Sequence, residues 1–341
     1  MAQLVYSETE IMSDHDYARS HEAMGHHLHG GFDAEGNYIS PRTLVRNPAV
    51  EAWTEALRER GGDILHVDPE LMEPAERYPT EPQMKLLLQE GVDQVFWNSL
   101  TTTGLLEARG RFIVDREFPD LQKIIVEDIS ELAIGHLSKG MLNAHGLDEG
   151  GEPEKGIGAH DVMWFVVRDL AFDVRDYPIP QLPEFLGRPD ARQQLAPEIP
   201  PACEQMILFM MNLLLIEYGA ESLFSFDQRL LLDADLFKDR RDQANEAAEM
   251  VERIRQDEVV HVTSLRVDLG ELRAVTFKTV DGGTVPGAEI IDRLWASIVH
   301  FVRVESPKQQ REQQTRTIER TILEHPKGGE SVLARFRALE V

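Results

Sequence analysis

A glutamate and a histidine three positions apart, Glu258 and His261, are the residues of this chain best suited to bind a metal ion together. Residues with this spacing lie on one face of a helix, so both side chains can reach the same ion. Carboxylate oxygens and imidazole nitrogens suit iron and manganese. The neighbouring Val259, Val260 and Val262 indicate local burial, although the same string also fits a surface glutamate beside a half-buried histidine.

A second carboxylate, Glu217, directly follows one of the most apolar stretches of the chain, residues 206–216. A carboxylate buried among leucines and methionines needs a partner such as a cation to offset its loss of hydration. Glu221 lies one helical turn further on and is an alternative ligand. The competing interpretation is a helix end that emerges into solvent. The pattern favours Glu217 as a metal ligand.

Further candidate ligands lie upstream, in a segment whose apolar residues recur at helical spacing from 119 to 143. Glu131 is the central acid of this segment, and His136 lies on its apolar stripe. Their separation of five does not place both on one face, and Asp128 is a competing ligand. A lone histidine on an apolar stripe is more often a hydrogen-bonded core residue.

The elements that must position these residues are mostly helices, and we expect a mostly α fold. Apolar periodicity and helix-start prolines predict helices over 48–60, 81–108, 119–143, 159–173, 202–224, 236–269 and 290–302, followed by a charged terminal helix. Seven prolines between 177 and 201 predict an extended connection. A hairpin is expected over 274–280, turning at 281–283.

Three regions follow from this pattern. We expect an irregular segment that wraps the fold over residues 1–80, a helical bundle over 81–270, and a hairpin with helices over 271–341.

Composition excludes several classes of function. A chain of 341 residues with 42% hydrophobic content can bury a sizeable core, and its net charge of −25 disfavours nucleic acid and anionic lipid as partners. One cysteine, Cys203, excludes a disulfide framework and every multi-cysteine metal site. Residues 1–20 lack the pattern of a signal peptide, and the longest apolar run, of eleven positions, is too short to span a bilayer. We therefore predict a soluble, cytoplasmic protein.

The order of candidate ligands resembles that of the ferritin-like di-iron carboxylate superfamily, which includes ferritins, acyl-carrier-protein desaturases, amine N-oxygenases and ribonucleotide reductase small subunits. That family has a Glu helix, a Glu-x-x-His helix, a crossover, another Glu helix and a final Glu-x-x-His helix. The resemblance covers roughly residues 119–268. It departs from the family at Ile157, which stands where a glutamate would precede His160 by three positions. Asp161 or Glu131 compensates, His136 takes part, or the second ion is weak or absent.

The resemblance implies a ferritin-like helical bundle that binds two iron ions, or an iron and manganese pair. The ligands it implies are Glu131, His136, His160, Glu217, Glu258 and His261. Such a centre would activate dioxygen to hydroxylate, desaturate or N-oxygenate a small organic substrate, with electrons from an unidentified donor. Whether the chain forms a homodimer stays open.

Two other interpretations compete with an oxygenase. The first is a zinc site formed by His26, His27 and His29 and completed by Asp33 or Glu22, which would favour hydrolysis; the alternative for this patch is a solvated or packing segment over the bundle mouth. The second is a non-catalytic ferritin-like module that binds metal or mediates oligomerisation, as the isoleucine at 157 would allow.

Overall fold

The computed structural model describes residues 4–68, 77–182, 194–326 and 328–339. Most of these residues are helical, which confirms the predicted fold class at that level. The helices are α1 (Glu8–Ile11), α2 (Arg46–Glu59), α3 (Glu81–Gln89), α4 (Gln94–Glu107), α5 (Leu121–Ile124), α6 (Leu142–Gly150), α7 (His160–Phe172), α8 (Pro201–Leu232), α9 (Arg241–Ala274), α10 (Gly287–His300), α11 (Ser306–Glu324) and α12 (Gly329–Ala338). The strands are β1 (Arg19–Ala23), β2 (His26–Phe32), β3 (Tyr38–Ile39), β4 (Ile157–Gly158), β5 (Thr276–Lys278) and β6 (Thr284–Pro286).

Helix α9 is the centre of the fold and packs against α2, α7, α8 and α10. Its buried side chains repeat at alternating intervals of four and three residues, which places them on one stripe of the helix. The stripe comprises Ala247, Val251, Ile254, Glu258, His261, Leu265, Asp268 and Leu272. Glu258 and His261 therefore occupy core positions, between isoleucine and leucine.

Helix α8 also has a buried stripe, which continues directly into Glu217. The stripe comprises Cys203, Ile207, Met210 and Leu214. The packing of α8 on α9 turns this stripe toward Glu258 and His261. By length and composition α8 could cross a membrane, with a mean hydropathy of 1.5 over its most apolar window. A core helix of a soluble protein has the same composition, so solubility and a cytoplasmic location stay predictions.

The predicted helix over 81–108 is two helices, α3 and α4. Gly91, with φ of 77°, follows the end of α3, and the N–H of Val92 returns to the carbonyl of Leu87. This is the glycine-based ending typical of helix C-termini. The break reorients α4, whose last residue is Glu107.

The predicted helix over 119–143 is wrong. Only α5 and the first residues of α6 are α-helical there, and the intervening chain forms turns, a three-residue 3-10 helix (Ala133–Gly135) and a distorted π-helical segment (Leu137–Met141). Ile125 pairs instead with Phe277 in an isolated β-bridge, and Gly140 has φ of 117°, which interrupts any helix. The apolar spacing that suggested a helix is buried by irregular backbone. Helix α6 consequently begins where the predicted helix was expected to end.

The N-terminal segment is less irregular than expected. Strand β2 pairs antiparallel with β1 and β3 and parallel with β4, which forms a four-stranded sheet. Met24 and Gly25, both with positive φ, form a two-residue hairpin turn between β1 and β2. The sheet contacts α7 through β2 and β4.

The C-terminal hairpin is confirmed, with β5 and β6 joined through the predicted Asp281–Gly283 turn. The predicted extended connection is non-helical over 177–182 and 194–200, and its central part, 183–193, lies outside the described residues.

Candidate metal centre

Seven potential metal ligands from five helices converge in the interior of the fold. They are Glu107 on α4, His145 and Glu149 on α6, His160 on α7, Glu217 on α8, and Glu258 and His261 on α9. Six of them are buried and Glu107 is half-buried. They form two groups of four, each with donor atoms within 4.8 Å of one another, and Glu149 belongs to both. These buried groups could hold metal ions.

Glu149 places one carboxylate oxygen in each group. Its Oε1 lies 2.9 Å from Nδ1 of His261 and 3.7 Å from Nε2 of His145. Its Oε2 lies 3.5 Å from Nδ1 of His160. A carboxylate with this placement is suited to bridge two ions.

Glu258, on α9, belongs to one group but faces a histidine of each. Its Oε2 lies 2.9 Å from Nδ1 of His261, and its Oε1 lies 3.1 Å from Nδ1 of His160. Two glutamates therefore each face both histidines. Carboxylates that face two histidines in this way could bind a metal ion with each of them.

Glu217 and His145 face each other at the outer side of one group. Oε1 of Glu217 lies 3.0 Å from Nε2 of His145. The ring of His145 stacks on that of His261, with 4.0 Å between the ring centroids. Glu107 completes the other group beside Glu149. Each group thus combines carboxylates with at least one imidazole.

Several donor atoms at the centre of the cluster have no hydrogen-bond partner among the described residues. These atoms are Oε1 of Glu149, Oε1 of Glu258 and Nδ1 of His160. Buried polar atoms are rarely left without a partner, because the lost hydration is costly. Their convergence on one small volume fits cation binding.

The electrostatics of the cluster point the same way. Burial, together with the charges of Glu258 and Glu149, raises the pKa of Glu217 well above its usual range. Burial and then Glu149 raise the pKa of Glu107. Burial, followed by the charge of His261, lowers the pKa of His145 to about 3, so its ring is a neutral ligand. Burial alone would raise the pKa of Glu149 and Glu258, but their contacts with His160 and His261 outweigh it and lower both. Two divalent cations could take the place of these positive charges and would neutralise the four glutamates.

Two aspartates lie behind the histidines. Oδ2 of Asp148 lies 3.1 Å from Nε2 of His261, and Oδ2 of Asp257 lies 3.3 Å from Nε2 of His160. In both rings the other nitrogen, Nδ1, faces Glu149 and Glu258. An aspartate that accepts a hydrogen bond from Nε2–H keeps the proton on Nε2 and leaves the lone pair on Nδ1. Nδ1 is the atom placed to bind an ion.

Asp148 is itself held by two buried arginines. Arg42 donates to Oδ1 at 2.6 Å, and Arg46 donates to Oδ2. Burial alone would raise the pKa of Asp148, but Arg46 and Arg42 outweigh it and lower the pKa well below its usual range. The charge of Asp148 is therefore balanced outside the cluster.

Four of the six predicted ligands come together, namely His160, Glu217, Glu258 and His261. Glu131 and His136 lie elsewhere. Glu131 is exposed in a turn, because the helix expected to carry it is absent. His136 is buried, but Nδ1 bonds the carbonyl of Leu132 and Nε2 accepts the N–H of Tyr6, so both nitrogens are used.

The alternatives considered for these positions also lie outside the cluster. Oδ1 of Asp161 accepts the backbone N–H groups of Ala159 and Val162 at the start of α7. Glu221 is exposed and pairs with Arg255 at 2.6 Å.

Three residues of the cluster were missed by sequence reasoning: Glu107, His145 and Glu149. The spacing of His145 and Glu149, four apart, is a usable signal, since both lie on one helix face. In the sequence, Ile157 stands where a glutamate ligand was expected. In the structure, Glu149 supplies a carboxylate near His160 instead. Gly110 makes room for Glu149 in the structure, since a Cβ there would lie only 2.2 Å from Cβ of Glu149. Glu107 follows two leucines and carries no distinguishing pattern.

The histidine patch does not form the zinc site considered from sequence. His26 and His27 are exposed, and the alternation of β2 places His27 and His29 on one face and His26 on the other. Asp33 bonds Asn37 in the β2–β3 turn. His29 alone is buried, with Nε2 3.2 Å from Oδ2 of Asp257.

Comparisons with known proteins give no identification: no family model matches the sequence, no curated protein matches it, and no solved structure matches it. The resemblance to ferritin-like proteins stays a prediction, and function must be argued from the site.

Proposed function

We propose that this chain is an oxidoreductase that binds two iron ions between its helices and activates dioxygen to oxidise a small organic substrate. The observation that supports this most is the placement of Glu149 and Glu258. Each glutamate puts one oxygen beside His160 and the other beside His261. The second oxygen of Glu149 also lies near His145. Two such glutamates would bridge a pair of ions.

The donor set favours iron, or iron with manganese, over zinc. Structural zinc sites have four ligands, commonly cysteines and histidines, whereas the chain has one cysteine and it lies outside this cluster. Four glutamates and three histidines instead suit ions that accept both oxygen and nitrogen ligands. When bound, two iron(II) ions would supply two of the four electrons that reduce dioxygen to the level of water, and the substrate would supply two.

The residues have separate tasks in this proposal. Glu149 and Glu258 would bridge, with Glu107 at one end and Glu217 with His145 at the other. Asp148 and Asp257 orient His261 and His160 through Nε2 and hold the proton away from Nδ1. Burial of the cluster excludes bulk water from the reacting atoms.

Metal analysis tests the proposal first. We expect the protein loaded anaerobically with iron(II) to retain about two ions per chain. Glu149→Gln and Glu258→Gln should each lose bound iron, because an amide cannot bridge two cations. Glu131→Gln is the matched control and should retain it, since Glu131 is exposed outside the cluster.

Oxygen consumption is the second test. On mixing with air-saturated buffer, the loaded protein should consume dioxygen faster than the same concentration of free iron(II), and Glu258→Gln should not. Retention of two ions without any accelerated consumption would contradict the oxidoreductase and favour a non-catalytic metal-binding module. Retention of no metal would contradict both.

A further inference from the structure

His29 is a buried histidine for which the proposed centre has no use. Its exposed fraction is 4%, and neither ring nitrogen has a hydrogen-bond partner within the described ranges. Its Nε2 lies 3.2 Å from Oδ2 of Asp257, in a geometry that makes no hydrogen bond. An imidazole that is buried in this way, beside a carboxylate, fits a metal ligand better than a packing residue.

Asp257 and His160 complete a third group of donors. Oδ2 of Asp257 lies 3.3 Å from Nε2 of His160 and accepts the hydroxyl of Tyr38 at 2.9 Å. Oδ1 of Asp257 has no partner in the described part of the chain. Donor atoms of His29, His160 and Asp257 lie within 4.8 Å of one another.

A surface cavity of about 360 Å³ is lined by one residue of this group, His29. Its wall carries side chains that bind divalent cations, including Asp14, His15, Asp16 and His27. Asp14, Asp16 and His27 are exposed, whereas His29, which also lines the cavity, is buried. The cavity therefore leads from solvent to His29.

We propose that His29, Asp257 and Nε2 of His160 form an accessory site for a divalent cation, and that metal ions pass through it from this cavity to the buried centre. The second part rests on the proposed function, since it requires a centre to fill. The first part stands on the contacts of His29 and Asp257 alone.

The shared histidine determines the character of this site. A neutral imidazole has one nitrogen with a lone pair and one with a proton. His160 can therefore bind an ion through Nε2 at the accessory site or through Nδ1 at the centre, but not both. When His160 turns to the centre, the accessory site keeps only His29 and Asp257 as ligands, so it then binds its ion more weakly than the centre binds the pair.

Titration with cobalt(II) chloride under anaerobic conditions tests this, because its visible absorption reports coordination. We expect the wild-type chain to bind a tight pair and a third, weaker ion. His29→Ala should lose the third ion and keep the pair, and should fill the pair about tenfold more slowly. His26→Ala is the matched control, since His26 is exposed and lies outside the cavity wall next to His29.

The outcomes separate the two proposals. A tight pair that fills at the wild-type rate in His29→Ala, with the third ion unchanged, would overturn the accessory site and leave the proposed centre standing. In Glu217→Gln, loss of the pair with the weak ion retained would support the accessory site. Binding of a single ion that His29→Ala removes, with no pair in the wild type, would support the accessory cation site and overturn the centre and the passage to it.

Discussion

Nε2 of His261 lies 3.1 Å from Oδ2 of Asp148, while Nδ1 of the same ring lies 2.9 Å from an oxygen of Glu149 and 2.9 Å from an oxygen of Glu258. The ring of His261 thus lies between Asp148, which is paired with two arginines, and Glu149 and Glu258, which are not paired with arginine. The orientation of His261 depends on Asp148. It therefore also depends on Arg46, which lies on α2, and on Arg42, which lies just before α2.

Asp148→Asn should weaken metal binding without removing a ligand. An amide can present its N–H to Nε2 and so favour the wrong tautomer, and loss of such a partner typically lowers metal affinity by about 10- to 100-fold. The measurement is cobalt(II) affinity by competition with a chelator. Glu221→Gln, which removes an exposed ion pair, is the control. Equal affinities in the two variants would show that Asp148 does not position His261.

Metal removal should destabilise the wild-type chain. Ions that bind only the folded state stabilise it by about 4 kcal/mol when present at 1,000 times their dissociation constant. Adding a chelator should therefore lower the midpoint of thermal unfolding. In Glu217→Gln the chelator should have little effect, and the variant without metal should be at least as stable as the wild type without metal, because burial and the charges of Glu258 and Glu149 disfavour a charged Glu217 and raise its pKa. A chelator effect of equal size in both proteins would contradict the cluster as the metal site.

Asp227 makes stability depend on pH. It is fully buried on α8, neither carboxylate oxygen has a hydrogen-bond partner in the described residues, and burial raises its pKa to about 8 despite the opposing charge of Arg77. Below pH 4 it is protonated in both states and has no effect. Between pH 4 and 8 the unfolded chain loses the proton and the folded chain keeps it, so stability falls as pH rises.

Asp227→Asn should remove this dependence. At pH 8 the variant should exceed the wild type in free energy of unfolding by at most about 5 kcal/mol, and at pH 4 the two should be equal, at about 1.4 kcal/mol per pKa unit. Urea unfolding at both pH values measures it. The exposed Asp235→Asn should show no such pattern. A gain at pH 4 equal to that at pH 8 would exclude ionisation as the cause.

Gly110 allows Glu149 to reach the cluster. A Cβ at Gly110 would lie 2.2 Å from Cβ of Glu149, so Gly110→Ala must displace α6 or the preceding turn. We expect a loss of about 1–3 kcal/mol in stability and a lower metal content. Gly283→Ala is the control, because its Cβ would meet only the ends of two side chains, Thr279 at 3.1 Å and Asp281 at 3.5 Å. Full metal content in Gly110→Ala would show that Glu149 tolerates the shift.

Sequence patterns sufficed for the long regular elements. Helices α7, α8, α9 and α10 and the C-terminal hairpin were predictable because the apolar residues of each element recur at a regular period and are buried against its neighbours. Glu217, Glu258 and His261 were found as candidates for the same reason. A polar residue that interrupts a buried stripe stands out in sequence.

Periodicity failed where backbone turns bury apolar residues. The spacing around Glu131 and His136 is helical, yet Gly140 and the bridge between Ile125 and Phe277 replace the helix. The sheet around β2 was missed as well, because its hairpin turns at Met24–Gly25 rather than at a typical asparagine–glycine pair.

The sequence by itself determined the helical class of this protein and four of the seven residues of its candidate metal centre, because helix periodicity is a local property of the chain. Only the tertiary structure decided which carboxylates share an interior. Glu149 meets Glu258 across more than a hundred positions of sequence, and His29 meets Asp257 across more than two hundred. Such contacts arise from the packing of whole elements, which depends on long-range burial.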